Sequence, residues 1–278
     1  LYAGYVNTHL SRNEQFGEWR AWERGITHVD MISPRVVTLE AMQLAWSPPT
    51  PEGGVEAGLV IIPEVANSAE FDDWLPNAEG KFVMISMHQP TGRPDYNWEE
   101  FATEESLEKI RAERQEATQA WRDRVANTGH NNRSLVEVLE EAGAAGIIMS
   151  NWSQGFGTNK IFGANTRTIP TIDVLLEDYG MLYRLVENGH DPVIRVRAES
   201  KDLGVAPTFN TIAEIRGTEH PDEYIILSAH YDSWEAGTGA TDNATGSVTM
   251  MEVARILKKL YPNPKRTILV GLWGAEEQ

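Results

Sequence analysis

Two runs, YIILSA (Tyr224–Ala229) and TILVGLW (Thr267–Trp273), are apolar at nearly every position instead of alternating, and a segment of helical character, Ala244–Leu260, separates them. Strands of that composition must be covered on both faces. Two of them joined through a helix read as neighbours in a mostly parallel sheet. On the intervening helix, Val248, Met251, Ala254 and Leu257 or Ile256 form the expected inward stripe.

The preceding part of the chain repeats this logic. AGLVII, KFVMIS, GIIM and the start of IPTIDVLLEDYGMLYRLVENG read as buried strands, the last leading into a helix that stops at Gly189. SLVEVLEEAG has capping-box spacing between Ser134 and Glu137 and a glycine stop at Gly143. Residues 98–126 are highly charged, with Leu107, Ile110, Ala117, Trp121 and Val125 on one face, the pattern of a surface helix with a packing stripe. RVVTLEAMQL is strand-like, SPPTPEGG at 47–54 is a loop, and residues 151–168 form a polar, glycine-rich segment too long for a simple turn. TIAEIRG is a further strand near 211–217.

Composition narrows the partners. A formal net charge of −17, from 41 acidic and 24 basic residues, repels phosphate backbones and makes nucleic acid a poor partner. With no cysteine there is neither a disulfide framework nor a thiolate metal site, so a transition metal must use histidine and carboxylates. No apolar run approaches the ~20 residues of a membrane span.

One constellation fits such a metal. His230 and Asp232 follow the YIILSA strand, Asp242 precedes the helix, and Glu276 and Glu277 follow TILVGLW. In open α/β sheets the ligand crevice lies outside the carboxyl ends of the strands, so these groups converge on one rim. An imidazole and carboxylates suit zinc, and one carboxylate can bridge two ions. Asp232 is placed to orient the ring through its other nitrogen, and two adjacent glutamates can divide metal binding from general-base work. Each element has an ordinary reading too. A lone H-x-D is weak, an E-E pair is usually solvated, and GTGATDNATG could be a capping loop with Asp242 or Asn243 as cap. It is their joint placement at strand ends that favours a metal centre. Glu235, in the same loop, is a further carboxylate.

HYDS…GATDNATG…RTILVGLWGAEEQ resembles the zinc exopeptidases of peptidase family M28, with 12 residues from His230 to Asp242 and 34 from Asp242 to Glu276. DSWEAGTGATD is similar to the carboxypeptidase Q-like branch, and GKFVMIS, LEEAGAAGIIMSN and IPTIDVLLEDYGMLYRLVENG resemble a protease-associated (PA) domain. The resemblance implies a zinc aminopeptidase (phosphorylase/hydrolase-like) α/β fold, incomplete here, with helices on both faces of a parallel-centred sheet and an inserted α/β PA domain. Residues 1–46 and 198–278 would belong to the peptidase domain and 47–197 to the insertion. His230 would bind one zinc, Asp242 bridge two, Glu277 bind the second, Glu276 act as general base and Asp232 support the histidine, with a cis peptide at Asp242–Asn243. The implied reaction is removal of terminal residues from a peptide substrate by zinc-activated water, in a secreted or periplasmic setting, with assembly as a homodimer. The inserted segment, with its 151–168 loop, would restrict or help bind substrate.

The family's remaining ligands, an Asp or Glu and a His, would lie past Gln278. The chain starts with Leu1 and stops directly after the strand-like run before GAEEQ, so both ends read as cuts. Without the remaining ligands the chain alone is expected to bind zinc weakly and to be inactive. His9, His28, His88, His130, His190 and His220 match no ligand position and read as surface or structural. Two rivals remain. A non-catalytic receptor or interaction module is disfavoured by the presence of His230, Asp242, Glu276 and Glu277 together. A glutaminyl-cyclase-like acyltransferase is disfavoured by the PA-like insertion.

Overall fold

The computed structural model describes residues 12–157, 159–234 and 237–277; His9 and Glu235 lie outside them. The chain divides into two units, Leu1–Ala21 with Leu203–Gln278, and Trp22–Asp202.

The Trp22–Asp202 unit is built on a sheet ordered β2-β1-β8-β4-β5-β6-β7-β3. Its strands are β1 (Arg12–Ser33), β2 (Val37–Leu39), β3 (Ala41–Gln43), β4 (Val55–Ile61), β5 (Phe82–Met84), β6 (Gly146–Met149), β7 (Thr171–Val174) and β8 (Val193–Ile215), of which β1 and β8 also carry residues of the other unit. The centre, β4 through β7, is parallel. The flanking pairs β4–β8, β3–β7 and β1–β2 are antiparallel. This is the parallel-centred α/β sheet that the apolar runs predict.

Its middle strands are buried on both sides, and alternate residues feed two cores. Phe82, Met84 and Ile148 face one core with Tyr179, Leu182 and Tyr183 of α5 (Leu176–Glu187). Val83 and Ile147 face the other, with Phe71 of α1 (Ser68–Trp74), Val125 of α3 (Glu104–Asn127) and Leu135 and Leu139 of α4 (Asn132–Glu141). Helices therefore cover both faces. The 151–168 segment lies within the crossover from β6 to β7, and a parallel connection needs about a dozen residues or more. That requirement accounts for its length without a helix of its own.

Several local expectations shift. The charged stretch is two helices, α2 (Asp95–Phe101) and α3, because Ala102 is extended and Thr103 caps α3 by accepting from Ser106 N. On α3 the packing stripe holds, with Ile110 and Val125 buried. The capping box of α4 starts three residues earlier than Ser134. Asn131 accepts from the Arg133 and Ser134 amides, and Ser134 Oγ accepts from Asn131 N, so Ser134 closes the box instead of opening it. Gly143, at φ +84°, supplies the left-handed stop. RVVTLEAMQL splits into β2 and β3, and the long β1 went unrecognised because, among its described side chains, only Val29 and Met31 are buried.

The other unit holds β8 residues from Leu203 on, β9 (His220–His230), β10 (Arg266–Trp273) and α6 (Gly246–Leu260). β10 lies between the other two, parallel to β9 and antiparallel to β8. Helix α6 packs Ala254, Met250 and Met251 against Ala229, Val270 and Leu272. Of the expected stripe, Met251 and Ala254 pack inward, whereas Val248 and Ile256 are exposed and Ser247 is buried at the first turn. Ser247 Oγ donates to the carbonyl of His230 at 2.8 Å, and that bond fixes the helix's rotation at its first turn. Tyr224, Ile225 and Ile226 of β9 are exposed. Among the described residues no helix is long and apolar enough to cross a membrane.

Asp173, at the end of β7, is 2% exposed and accepts from Asn151 N and from the Asn159 side chain. Burial outweighs these hydrogen bonds and pushes its carboxyl up to about 7. In the folded state the proton is thus held over a pH range in which the unfolded chain has already released it. Stability from this group is present below the unfolded pKa of about 3.9 and is lost as pH rises to about 7, at about 1.4 kcal/mol per pH unit. Urea unfolding at about pH 5 and about pH 8 should show that loss, and Asp173→Asn should flatten it. Leu139→Ala, at a fully buried site, should cost about 2–5 kcal/mol in the same assay.

Candidate metal centre

The site lies within the Leu203–Gln278 unit and begins with strand pairing. The register of β9 on β10 sets His230 opposite Trp273, so both strands end at the same rim. One more main-chain bond, from Tyr231 N to Trp273 O at 2.6 Å, extends the pairing past the histidine. Beyond β10 the chain must turn tightly. A β-carbon on Gly274 would collide with the Phe209 carbonyl oxygen, and Ala275 adopts φ +59°, the left-handed region that disfavours a side chain. Glu276 and Glu277 follow directly.

Asp242 reaches the same rim from the turn at Ala240–Thr245 that leads into α6. The Asp242–Asn243 peptide is cis. The two neighbouring side chains divide the work. Asn243 Oδ1 accepts from Gly246 N at 3.1 Å and caps α6, while Asp242 Oδ1 lies 2.9 Å from His230 Nε2. The capping reading of this loop therefore holds for Asn243 and not for Asp242. A β-carbon on Gly246 would push the Asn243 side chain out of its bond to Gly246 N.

Around the ring the two nitrogens have different company. His230 Nδ1 lies 3.1 Å from the main-chain oxygen of Asp232 and 3.5 Å from its Oδ1. A carbonyl oxygen can only accept, so Nδ1 carries the proton, and Nε2 is directed at Asp242 and at Glu276 Oε2, 3.7 Å away. Asp232 thus orients the ring chiefly through its main chain. Its Oδ2 accepts from Glu277 N at 3.0 Å, and its Oδ1 is buried without a hydrogen bond. That second tie, between the loop after β9 and the glutamate pair, had no signal in the residue spacing.

His230, Glu276 and Glu277 each offer a ligand atom, all within 4.8 Å of one another. Asp242 approaches this group through His230. Among the described residues no lysine or arginine forms an ion pair with any of these carboxylates. The crowding of charge acts on the ionisable groups themselves. Burial, then the charges of Asp242 and Glu276, raise the Glu277 carboxyl above its ordinary value. For His230 burial acts to lower the pKa, but hydrogen bonds to Asp232 and Asp242 and the charge of Glu276 outweigh it and raise it. A nitrogen lone pair and several carboxylate oxygens facing each other, short of positive charge, is a donor set that fits a divalent borderline metal such as zinc. The remaining histidines are elsewhere: His28, His190 and His220 are exposed, and His88 and His130 belong to the other unit.

The region that holds these residues also matches known proteins. Residues 210–278 match the model of Peptidase family M28. Carboxypeptidase Q of Rattus norvegicus is 29% identical over 261 residues, which is 92% of this chain and 48% of that protein, and the Bos taurus protein is 28% identical over 262 residues. Leucine aminopeptidase 2 of Trichophyton rubrum is 35% identical over 138 residues, 49% of this chain and 27% of that protein. The chain spans about half the length of the carboxypeptidase Q relatives. In fold it is similar to an M28 peptidase precursor from Shewanella amazonensis, with a TM-score of 0.65 at 24% identity, covering 96% of this chain and 55% of that one. It is also similar to a zinc aminopeptidase from Bacillus subtilis, with a TM-score of 0.60 at 18% identity, covering 99% and 54%. The matched residues 210–278, in which the chain is similar to peptidase family M28, contain His230, Asp232, Asp242, Glu276 and Glu277.

Proposed function

We propose that the protein is a metal-dependent exopeptidase and that the rim formed by β9 and β10 is its catalytic centre. The carrying observation is the meeting of His230 Nε2 with Asp242, Glu276 and Glu277 where two parallel strands end, with the ring's proton turned away to Asp232. His230, Asp242 and Glu277 would hold zinc, with Asp242 shared between two ions and Glu277 on the second. Zinc, when bound, supplies Lewis acidity, which lowers the pKa of water and polarises a carbonyl. Glu276 is 57% exposed on its side chain and is the general base, taking a proton from the attacking water and returning it to the leaving amine. Asp232 positions two partners at once, the imidazole and the Glu277 main chain.

The substrate is a peptide attacked from one end. Residues 47–197 are read as a PA-like insertion between the two stretches of the peptidase domain, a reading that the parallel β4–β7 core with helices on both faces supports. Its part in restricting substrate is tested by deleting 47–197 from the intact protein, where unchanged substrate preference would refute it. A secreted or periplasmic location and a homodimer belong to the same reading. The exposed Tyr224, Ile225 and Ile226 offer a surface for such assembly, which light scattering of the purified protein checks.

Zinc affinity separates the roles. His230→Ala and Glu277→Gln should each weaken zinc at least about 100-fold in competition with a chelating dye, and Asp232→Asn about 10–100-fold. Glu276→Gln should leave zinc affinity within about threefold and lower turnover of the intact protein by about 100-fold or more. A Glu276→Gln protein that loses its zinc would reassign that residue as a ligand. Zinc affinity unchanged in His230→Ala would sink the metal centre altogether.

A further inference from the structure

A cavity of about 590 Å³ in the Trp22–Asp202 unit has no part in the chemistry above. It opens where β5 and β6 end, lined by Ser86 and Ser150 just past those strands. In α/β sheets that is where ligands settle, and the volume is that of a small-molecule or peptide site. Its walls are held rigidly. Trp121 lies under the Arg124 guanidinium at 5.4 Å, and Trp152 under that of Arg114 at 5.1 Å, with the indole N–H of Trp152 given to Gly155 O.

Two features describe what the cavity can hold. The side-chain amides of Gln89, Asn132, Asn151 and Asn165 all line the cavity, and among the described residues none has a hydrogen-bond partner. Each amide presents donors and an acceptor together, the complement of a peptide group. The other feature is charge. About one residue in seven of the chain is acidic, yet none of the cavity's 21 lining residues is, and Arg122 is there. In a protein of net charge −17 this is a place where an anion is not repelled.

We propose that this cavity binds a short peptide ending in a free carboxylate, with the amides holding its peptide groups, Trp121 and Met149 packing an apolar side chain, and Arg122 facing the carboxylate. The choice of a peptide rests on the peptidase reading; the cavity and its unpaired amides do not. The probes are N-acetyl-leucyl-leucine and its carboxamide, titrated calorimetrically into the 278-residue chain with EDTA present, so that the metal centre takes no part. The free acid should bind saturably and about tenfold more tightly than the carboxamide. Arg122→Gln should bring the acid down to the carboxamide's affinity. Ala126→Trp, at an exposed position of α3 that lines the cavity, should weaken both by about tenfold or more with no change in thermal unfolding. Absence of saturable binding, or wild-type affinity in Ala126→Trp, overturns the proposal, and equal affinities for acid and carboxamide overturn its anionic end. Zinc affinity measured on the same proteins keeps the two readings apart. Lost peptide binding with intact zinc binding sinks only this site, and the reverse sinks only the metal centre.

Discussion

The parallel pairing of β9 with β10 is the constraint on which the candidate centre depends. Because the strands run the same way, both carboxyl ends arrive at one edge, and His230 is paired with Trp273, three residues before Glu276. Antiparallel pairing of the same strands would leave Glu276 beside the start of β9. Over the ten residues from His220 to His230, at about 3.3 Å each, that is about 33 Å from the histidine, far beyond any shared ligand. The crossover helix is what makes parallel pairing available, and its first turn is bonded back to the carbonyl of His230 through Ser247. Fold and site are therefore fastened at the same residue.

Bringing carboxylates together opposes folding unless something compensates. Here Asp242, Glu276 and Glu277 face a ring whose proton is committed to Asp232, and the raised Glu277 carboxyl registers the cost. The surroundings hold them nonetheless, through the Asn243 cap, the left-handed Ala275 and the Asp232 acceptor for Glu277 N. A geometry maintained against its own repulsion is preorganised for a cation, because the ion then gains attraction without having to assemble its ligands.

Much of this is legible in the residues because it is local or periodic. Continuous apolar runs mark strands covered on both faces, and β5 and β6 are buried along nearly their whole length. Strand-end positions then place His230, Asp232, Asp242, Glu276 and Glu277 on one rim. What escapes has non-local causes. Among its described side chains β1 carries two that are buried, both near its end, so it shows no period there and is made a strand by its partners. At the first turn of α6 the Ser247 bond to His230 puts Ser247 inward in place of Val248, while Met251 and Ala254 keep to the stripe. The start of α4 belongs to Asn131 because its side chain satisfies two amides while Ser134 answers back, and spacing alone does not rank those alternatives.

The acidic surplus is distributed unevenly, and that distribution separates what the two sites can hold. At the metal rim, carboxylates are concentrated without lysine or arginine partners among the described residues, so the local field favours a cation and works against an anionic group arriving unaided. Around the cavity of the other unit, carboxylates are absent and uncharged amides predominate. Under the two proposals, a peptide with a free carboxylate would meet repulsion at the rim until metal is present, and none at the cavity. With the same net charge of −17, the two places differ in field, because what a site sees is the placement of nearby charges and not their total.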